Sequence, residues 1–151
     1  MRSAILEIGR SAISAVEPGA AVRSVVKTTG DGFRVGDQHY RDRDFNEVVI
    51  LGAGKASPKM AAELELMFGD RVRGGLVVTK DGYSTATRRV EIVQAGHPVP
   101  DDRGQQAARR LVEVAQSAGE NDILFCVISG GGSALTPAPP AGISLSELQS
   151  L

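Results

Sequence analysis

At 151 residues the chain has the length of one domain, on the usual scale of about 100–200 residues each. Its 42% apolar and 23% charged residues describe a globular chain and exclude a disordered one. With 17 basic against 18 acidic residues the formal charge is −1, which argues against a function resting on a nucleic-acid backbone or an anionic membrane.

Ile5, Ile8, Ala12, Ile13 and Val16 recur at helical spacing and predict a first helix ending near Pro18. Glu7 and Arg10 interrupt its apolar run, so no secretory leader is expected there. No stretch reaches the ~18 apolar residues of a membrane-spanning helix, and the expected location is cytoplasmic. A shorter helix is expected over residues 20–26. Gly30-Asp31-Gly32 then supplies turn chemistry, and the following residues read as a hairpin through Gly36-Asp37.

Residues 47–52 are a continuous β-branched run, the pattern of a strand covered on both faces. Met60, Ala61, Leu64, Met67 and Phe68 line one side of the helix that follows, with Pro58 in its first turn. Residues 75–79 and 90–95 read as further strands. Ala107, Ala108, Leu111, Val112, Ala115 and Ala118 form the apolar side of another helix, capped by Asp101 or Asp102 and closed by Gly119. Residues 122–128 are the most apolar strand, expected at the centre of the sheet with Cys126 as a small core residue. This alternation predicts an α/β fold: a Rossmann-like, mostly parallel sheet with helices on both faces. Ser144 and Glu147 form a capping box, and Leu145, Leu148 and Leu151 begin an apolar stripe that the sequence does not continue. The expectation is a truncated domain, residues 1–151 of a longer protein.

Ligands of open α/β sheets gather at the carboxyl ends of strands, where three loops attract attention. The first carries Gly52, Gly54 and Lys55 between strand and helix. Its glycines permit close backbone approach to a phosphate, the helix start offers N–H groups, and Lys55 adds a full charge. Val49 and Ala56 exclude a Walker A loop, and Ser57 takes the third glycine position of a dinucleotide fingerprint. The second loop is Ser129, Gly130, Gly131, Gly132 and Ser133, a backbone nest with two hydroxyls suited to an anion. Leu135 stands where a nucleophile elbow needs its second glycine. The third loop holds His97 and Asp101: His97 reads either as a base or substrate contact or as part of a rigid corner, with Asp101 as helix cap. One cysteine, and two histidines far apart as His39 and His97, exclude a disulfide framework and predict no metal site.

Four phrases in register, GAGKA at 52–56, GLVVTK at 75–80, AGHPVPD at 95–101 and SGGGSAL at 129–135, resemble the glycerate 2-kinase family, many of whose members carry the older label hydroxypyruvate reductase. The resemblance implies ATP-dependent phosphorylation of D-glycerate at its 2-hydroxyl, giving 2-phosphoglycerate, with Mg2+. It maps the family's essential lysine onto Lys55 and makes this chain an N-terminal portion, inactive alone, because an essential arginine lies in the later part. It also implies ATP or substrate contacts for the glycine loops, with His97 and Asp101 on the substrate side. The sequence departs from the family phrase Lys-Tyr-Gly-His at Lys80-Asp81-Gly82-Tyr83, and Thr136 replaces a second leucine. The implied partner is a small molecule, not nucleic acid or membrane. The rival readings are an NAD(P)-dependent hydroxypyruvate reductase and a non-catalytic anion-binding domain. Lys55 inside the turn, and Asp81 lying beyond the acid expected about 20 residues on, oppose the reductase.

Overall fold

The computed structural model describes residues 2–150, with side chains from residue 4 onward. Helix α1 (Arg2–Ala15) forms where periodicity places it, but Ile5, Ile8, Ile13 and Val16 remain 63–75% exposed. Helix α2 (Pro18–Val25) starts two residues before its predicted position, because the Glu17 carboxylate accepts the Ala20 amide and Pro18 suits the first turn. The chain then enters β1 (Val26–Thr29), a strand absent from the sequence reading, and pairs it with β2 (Gly32–Val35) and β3 (Gln38–Arg41) in an antiparallel meander. Phe33 secures this small sheet. It is buried, stacks on Tyr40, and meets Phe45 and Phe68 edge-on.

The main sheet is parallel throughout, in the order β6-β5-β4-β7, from β4 (Val48–Ala53), β5 (Val72–Lys80), β6 (Val90–Ala95) and β7 (Ile123–Ile128). Val48, Ile50, Val77 and Val127 share one core with Val22 of α2 and with Ala61 and Leu64 of α3 (Ser57–Phe68). On the opposite face Val78 and Ala95 pack with Ala107 of α4 (Asp102–Gln116) and Leu135 of α5 (Gly132–Leu135). The α/β expectation of a parallel sheet with helices on both faces therefore holds.

Three local expectations do not. β4, buried at every residue, is central, whereas β7 pairs only with β4 among the described residues. Helix α4 lies over β4, β5 and β6, so Leu124, Cys126 and Ile128 on that face of β7 are exposed. Apolarity marked β7 as a strand correctly but not as the middle one, and Cys126 is not a core residue. Finally, α4 ends at Gln116 with Ser117 as its cap, and Gly119 lies beyond it in a turn held by Asp122. The Ser144–Glu147 capping box is formed at α6 (Leu145–Gln149), where Leu145 and Leu148 are half-buried; Leu151 lies outside the described residues.

A buried carboxylate fixes the crossover between β5 and β6. Glu65, on α3, accepts the amides of Arg88, Arg89 and Val90, each at 2.7 Å. Replacing Glu65 with Ala leaves those donors unanswered. The expected cost is about 3 kcal/mol in urea unfolding, and Glu65→Gln, which keeps one acceptor oxygen, loses less than half of that.

Candidate functional site

Because β4 and β7 are parallel neighbours, their carboxyl ends deliver the first and second glycine loops side by side. The backbone joins them: the Ser129 amide donates to Ala53 O at 3.0 Å, and the Lys55 amide donates to Gly130 O at 3.2 Å. The Ser129 hydroxyl accepts the Ala56 amide at 3.0 Å and shares a hydrogen bond with the Ser57 hydroxyl at 3.1 Å. Gly54 has φ +132°, and a Cβ there would lie 2.2 Å from Ser129 Oγ. Only glycine lets the loops meet.

This junction consumes the donors of the first loop. The Gly54 amide goes to Val78 O, those of Lys55 and Ala56 go to the second loop, those of Lys59 and Met60 go to Ala56 O, and Pro58 has none. The row of free N–H groups expected at the start of α3 is therefore largely spoken for. The second loop differs. The Gly132 amide donates to Ser129 O, while those of Gly130, Gly131 and Ser133 have no acceptor among the described residues. The unpaired donors lie in this loop, while the Ser129 hydroxyl serves the junction and Ser133 is exposed on α5.

Gly131 brings the third loop in. It has φ +97°, and a Cβ there would lie 2.8 Å from His97 Nε2 and 3.6 Å from Lys55 Cε. Lys55, His97 and Gly131 thus occupy one place. Lys55 is half-buried and forms no ion pair among the described residues. The Nδ1 of His97 is buried without a hydrogen-bond partner. A buried nitrogen of that kind costs free energy unless a ligand or water answers it.

Asp101 stands behind this cluster. Its Oδ1 accepts the Gly104 amide and caps α4, while Oδ2 accepts Arg103 Nε at 2.8 Å. Burial pushes its carboxyl upward, but the Gly104 and Gly96 amides and the Arg103 guanidinium outweigh that and hold it below the ordinary aspartate value. The rigid-corner role is thus filled by Asp101, with both oxygens committed. Gly52 also lies behind the site: it sits within β4, where a Cβ would lie 2.4 Å from Val127 O, so it serves strand packing.

Two features escaped the sequence reading. Thr79, at the end of β5, is fully buried with its hydroxyl unpartnered. Arg103 reaches across 22 residues to grip both oxygens of Asp81 at 2.9 Å, a pairing that no periodicity encodes. No group of three or more His, Cys, Asp or Glu side chains converges among the described residues. The cluster as it stands places a lysine cation, backbone donors and an imidazole side by side, a combination suited to holding an anion.

Comparison with known proteins bears on which anion. A family described as Domain of unknown function (DUF4147) matches residues 4–151. A glycerate 2-kinase of Pyrococcus horikoshii is 37% identical over 144 residues, covering 95% of this chain and 32% of that protein. A protein of Agrobacterium vitis named for hydroxypyruvate reductase is 42% identical over 99 residues, 66% of this chain and 26% of its own length. The crystal structure of a glycerate kinase from Thermotoga maritima superposes with a TM-score of 0.76 at 35% identity, covering 97% of this chain and 32% of that one. The chain spans about a third of the length of the curated relatives it matches.

Two outcomes test this geometry. Ser129→Ala removes the acceptor of the Ala56 amide and the partner of Ser57, and the expected loss in urea unfolding is about 1–2 kcal/mol. Asp101 has a lowered folded pKa, so its contribution to stability is present above the ordinary aspartate value and is lost as pH falls through the lowered one. Asp101→Asn, which can still cap the helix, should flatten the decline in melting temperature between about pH 5 and pH 2.

Proposed function

The chain belongs to the DUF4147 family, and on that premise we propose that it is the N-terminal, anion-binding portion of a cytoplasmic ATP-dependent kinase that phosphorylates D-glycerate at its 2-hydroxyl. The observation that carries this reading is the meeting of Lys55, His97 and Gly131 beside the unspent amides of the second glycine loop. Phosphoryl transfer asks mainly for positioning and neutralisation of negative charge. Lys55 would neutralise a phosphate oxygen or the glycerate carboxylate. The amides of Gly130, Gly131 and Ser133 would hold the oxygens of the second anionic group. His97 would hydrogen-bond the substrate, and Asp101 would keep the corner bearing it rigid. ATP would bring Mg2+ on its phosphates.

Supporting this reading are the glycerate kinase relatives and the commitment of the first loop's amides. The hydroxypyruvate reductase alternative needs a pyrophosphate on the start of α3, where the Ala56 amide already bonds Ser129 and Pro58 has no donor. A non-catalytic anion-binding domain would keep the cluster but show no turnover in any context.

The test is a coupled assay with ATP, magnesium and D-glycerate, run on the full-length protein carrying these residues and on this chain alone. The expectation is turnover by the former and none by the latter. Lys55→Met, similar in length but uncharged, should lower full-length turnover by about 10³ or more while leaving the unfolding midpoint within a few degrees. Oxidation of NADH or NADPH with hydroxypyruvate, without ATP-dependent phosphorylation, would replace this reading with the reductase.

A further inference from the structure

We propose that Arg103 is a positioning residue: it fastens the loop leaving β5 to the corner leaving β6, and thereby holds His97 against Gly131 and Lys55. The proposal rests on the functional reading above for the identity of the site, and on the geometry alone for the clamp.

Arg103 is the second residue of α4, at the carboxyl end of the sheet. Its two terminal nitrogens donate to the two oxygens of Asp81 at 2.9 Å each, and its Nε donates to Asp101 Oδ2 at 2.8 Å. One planar fork therefore spans two loops, with a bidentate grip on one carboxylate and a third bond to another. Both ends are themselves anchored. Next to Asp81, the Gly82 amide donates to Gln94 Oε1 at 2.6 Å, tying that loop to β6. Asp101 accepts the Gly104 amide and packs against Gly96, where an added Cβ would lie 3.0 Å from its carboxylate; these two glycines bracket the corner containing His97.

The orientation of His97 needs such support. Its Nδ1 has no hydrogen-bond partner, so no bond at that atom fixes the ring, and its Nε2 lies against Gly131. A ring held by its backbone corner moves when the corner moves. The guanidinium and the Asp81 carboxylate are about half exposed, at 52% and 57%. Such pairs add little to global stability and weaken in salt. The clamp accordingly acts on local geometry more than on folding. Lysine, a point charge on a flexible stem, cannot bridge two carboxylates as the fork does.

The chain has two histidines, so the ring signals of His97 can be followed by 15N-imidazole NMR with His39, on β3, as an internal reference. Arg103→Met keeps the aliphatic stem and removes the fork. The expected result is a displaced or broadened His97 signal with His39 unmoved, and inorganic phosphate binding weakened about three- to fivefold. Asp81→Asn should move the His97 signal in the same direction, the double variant Asp81→Asn/Arg103→Met should add nothing beyond Arg103→Met, and Arg103→Lys should recover only part of the native signal. His97 signals unchanged in both single variants would overturn the proposal. Absence of phosphate binding in the native chain would instead count against the site's functional reading, leaving the clamp to be judged on the His97 signals.

Discussion

The close approach of Gly54 to Ser129 is the contact on which the carboxyl end of the sheet depends. A Cβ at Gly54 would come within 2.5 Å of the Ser129 carbonyl oxygen, so the two loops meet only through bare backbone. Parallel pairing of β4 with β7 brings the strand ends together, and the glycine lets their continuations touch. Once they touch, the Ser129 hydroxyl answers the Ala56 amide that begins α3, which has no side-chain cap of its own. A helix start is thereby satisfied across 73 residues by a neighbouring strand's loop.

That junction divides labour between the loops. In the first, the amides of Gly54, Lys55 and Ala56 face inward and hold structure, and on the proposed reading its main offering to a ligand would be the Lys55 side chain. In the second, positive φ at Gly131 turns the chain so that successive amides stay unpaired, and fixed dipoles remain available. On the proposed reading, a full charge on a flexible arm beside fixed dipoles would suit a transferred anionic group. The dipoles need no reorganisation, while the lysine can follow charge as it moves.

The sequence made some of this legible and concealed the rest for identifiable reasons. Segments rich in Val, Ile and Leu exposed all four parallel strands, even β6 with Glu91 and Gln94 inside it, and the glycine loops at strand ends were visible as composition. The strand β1 was hidden because Lys27, Thr28 and Thr29 are exposed and carry no alternation; pairing with Gly32–Val35 makes the strand, not its own pattern. The central place expected for β7 does not hold because apolarity reports what a strand could bury, while α4 decides which faces are covered. Ile128, 71% exposed in the most apolar segment of the chain, is the clearest case. At the site, the donors spent by the Ser129 junction could not be anticipated, since a hydroxyl 73 positions away leaves no trace in local spacing. The Asp81–Arg103 pair was concealed in the same way, and only the unusual aspartate at position 81 hinted at it.

Dryness is the remaining physical requirement. Charge neutralisation by Lys55 and by unpaired amides is weak in bulk water and strengthens as the local dielectric falls. The loops form one wall, and the side chain of Ile128 stands exposed immediately before Ser129. Leu124, on the same face of β7, extends this uncovered apolar surface away from the loop. On the proposed reading, in which these residues belong to a longer kinase, an element that packed on Ile128 would lie beside the loop that begins at Ser129. Burial of that apolar face and removal of water from the anion site would then be one event, driven by apolar area and not by the substrate's charge. On that reading the separation is physically useful: packing on the apolar face would lower the dielectric, and Lys55 and the second glycine loop would select for negative charge within it.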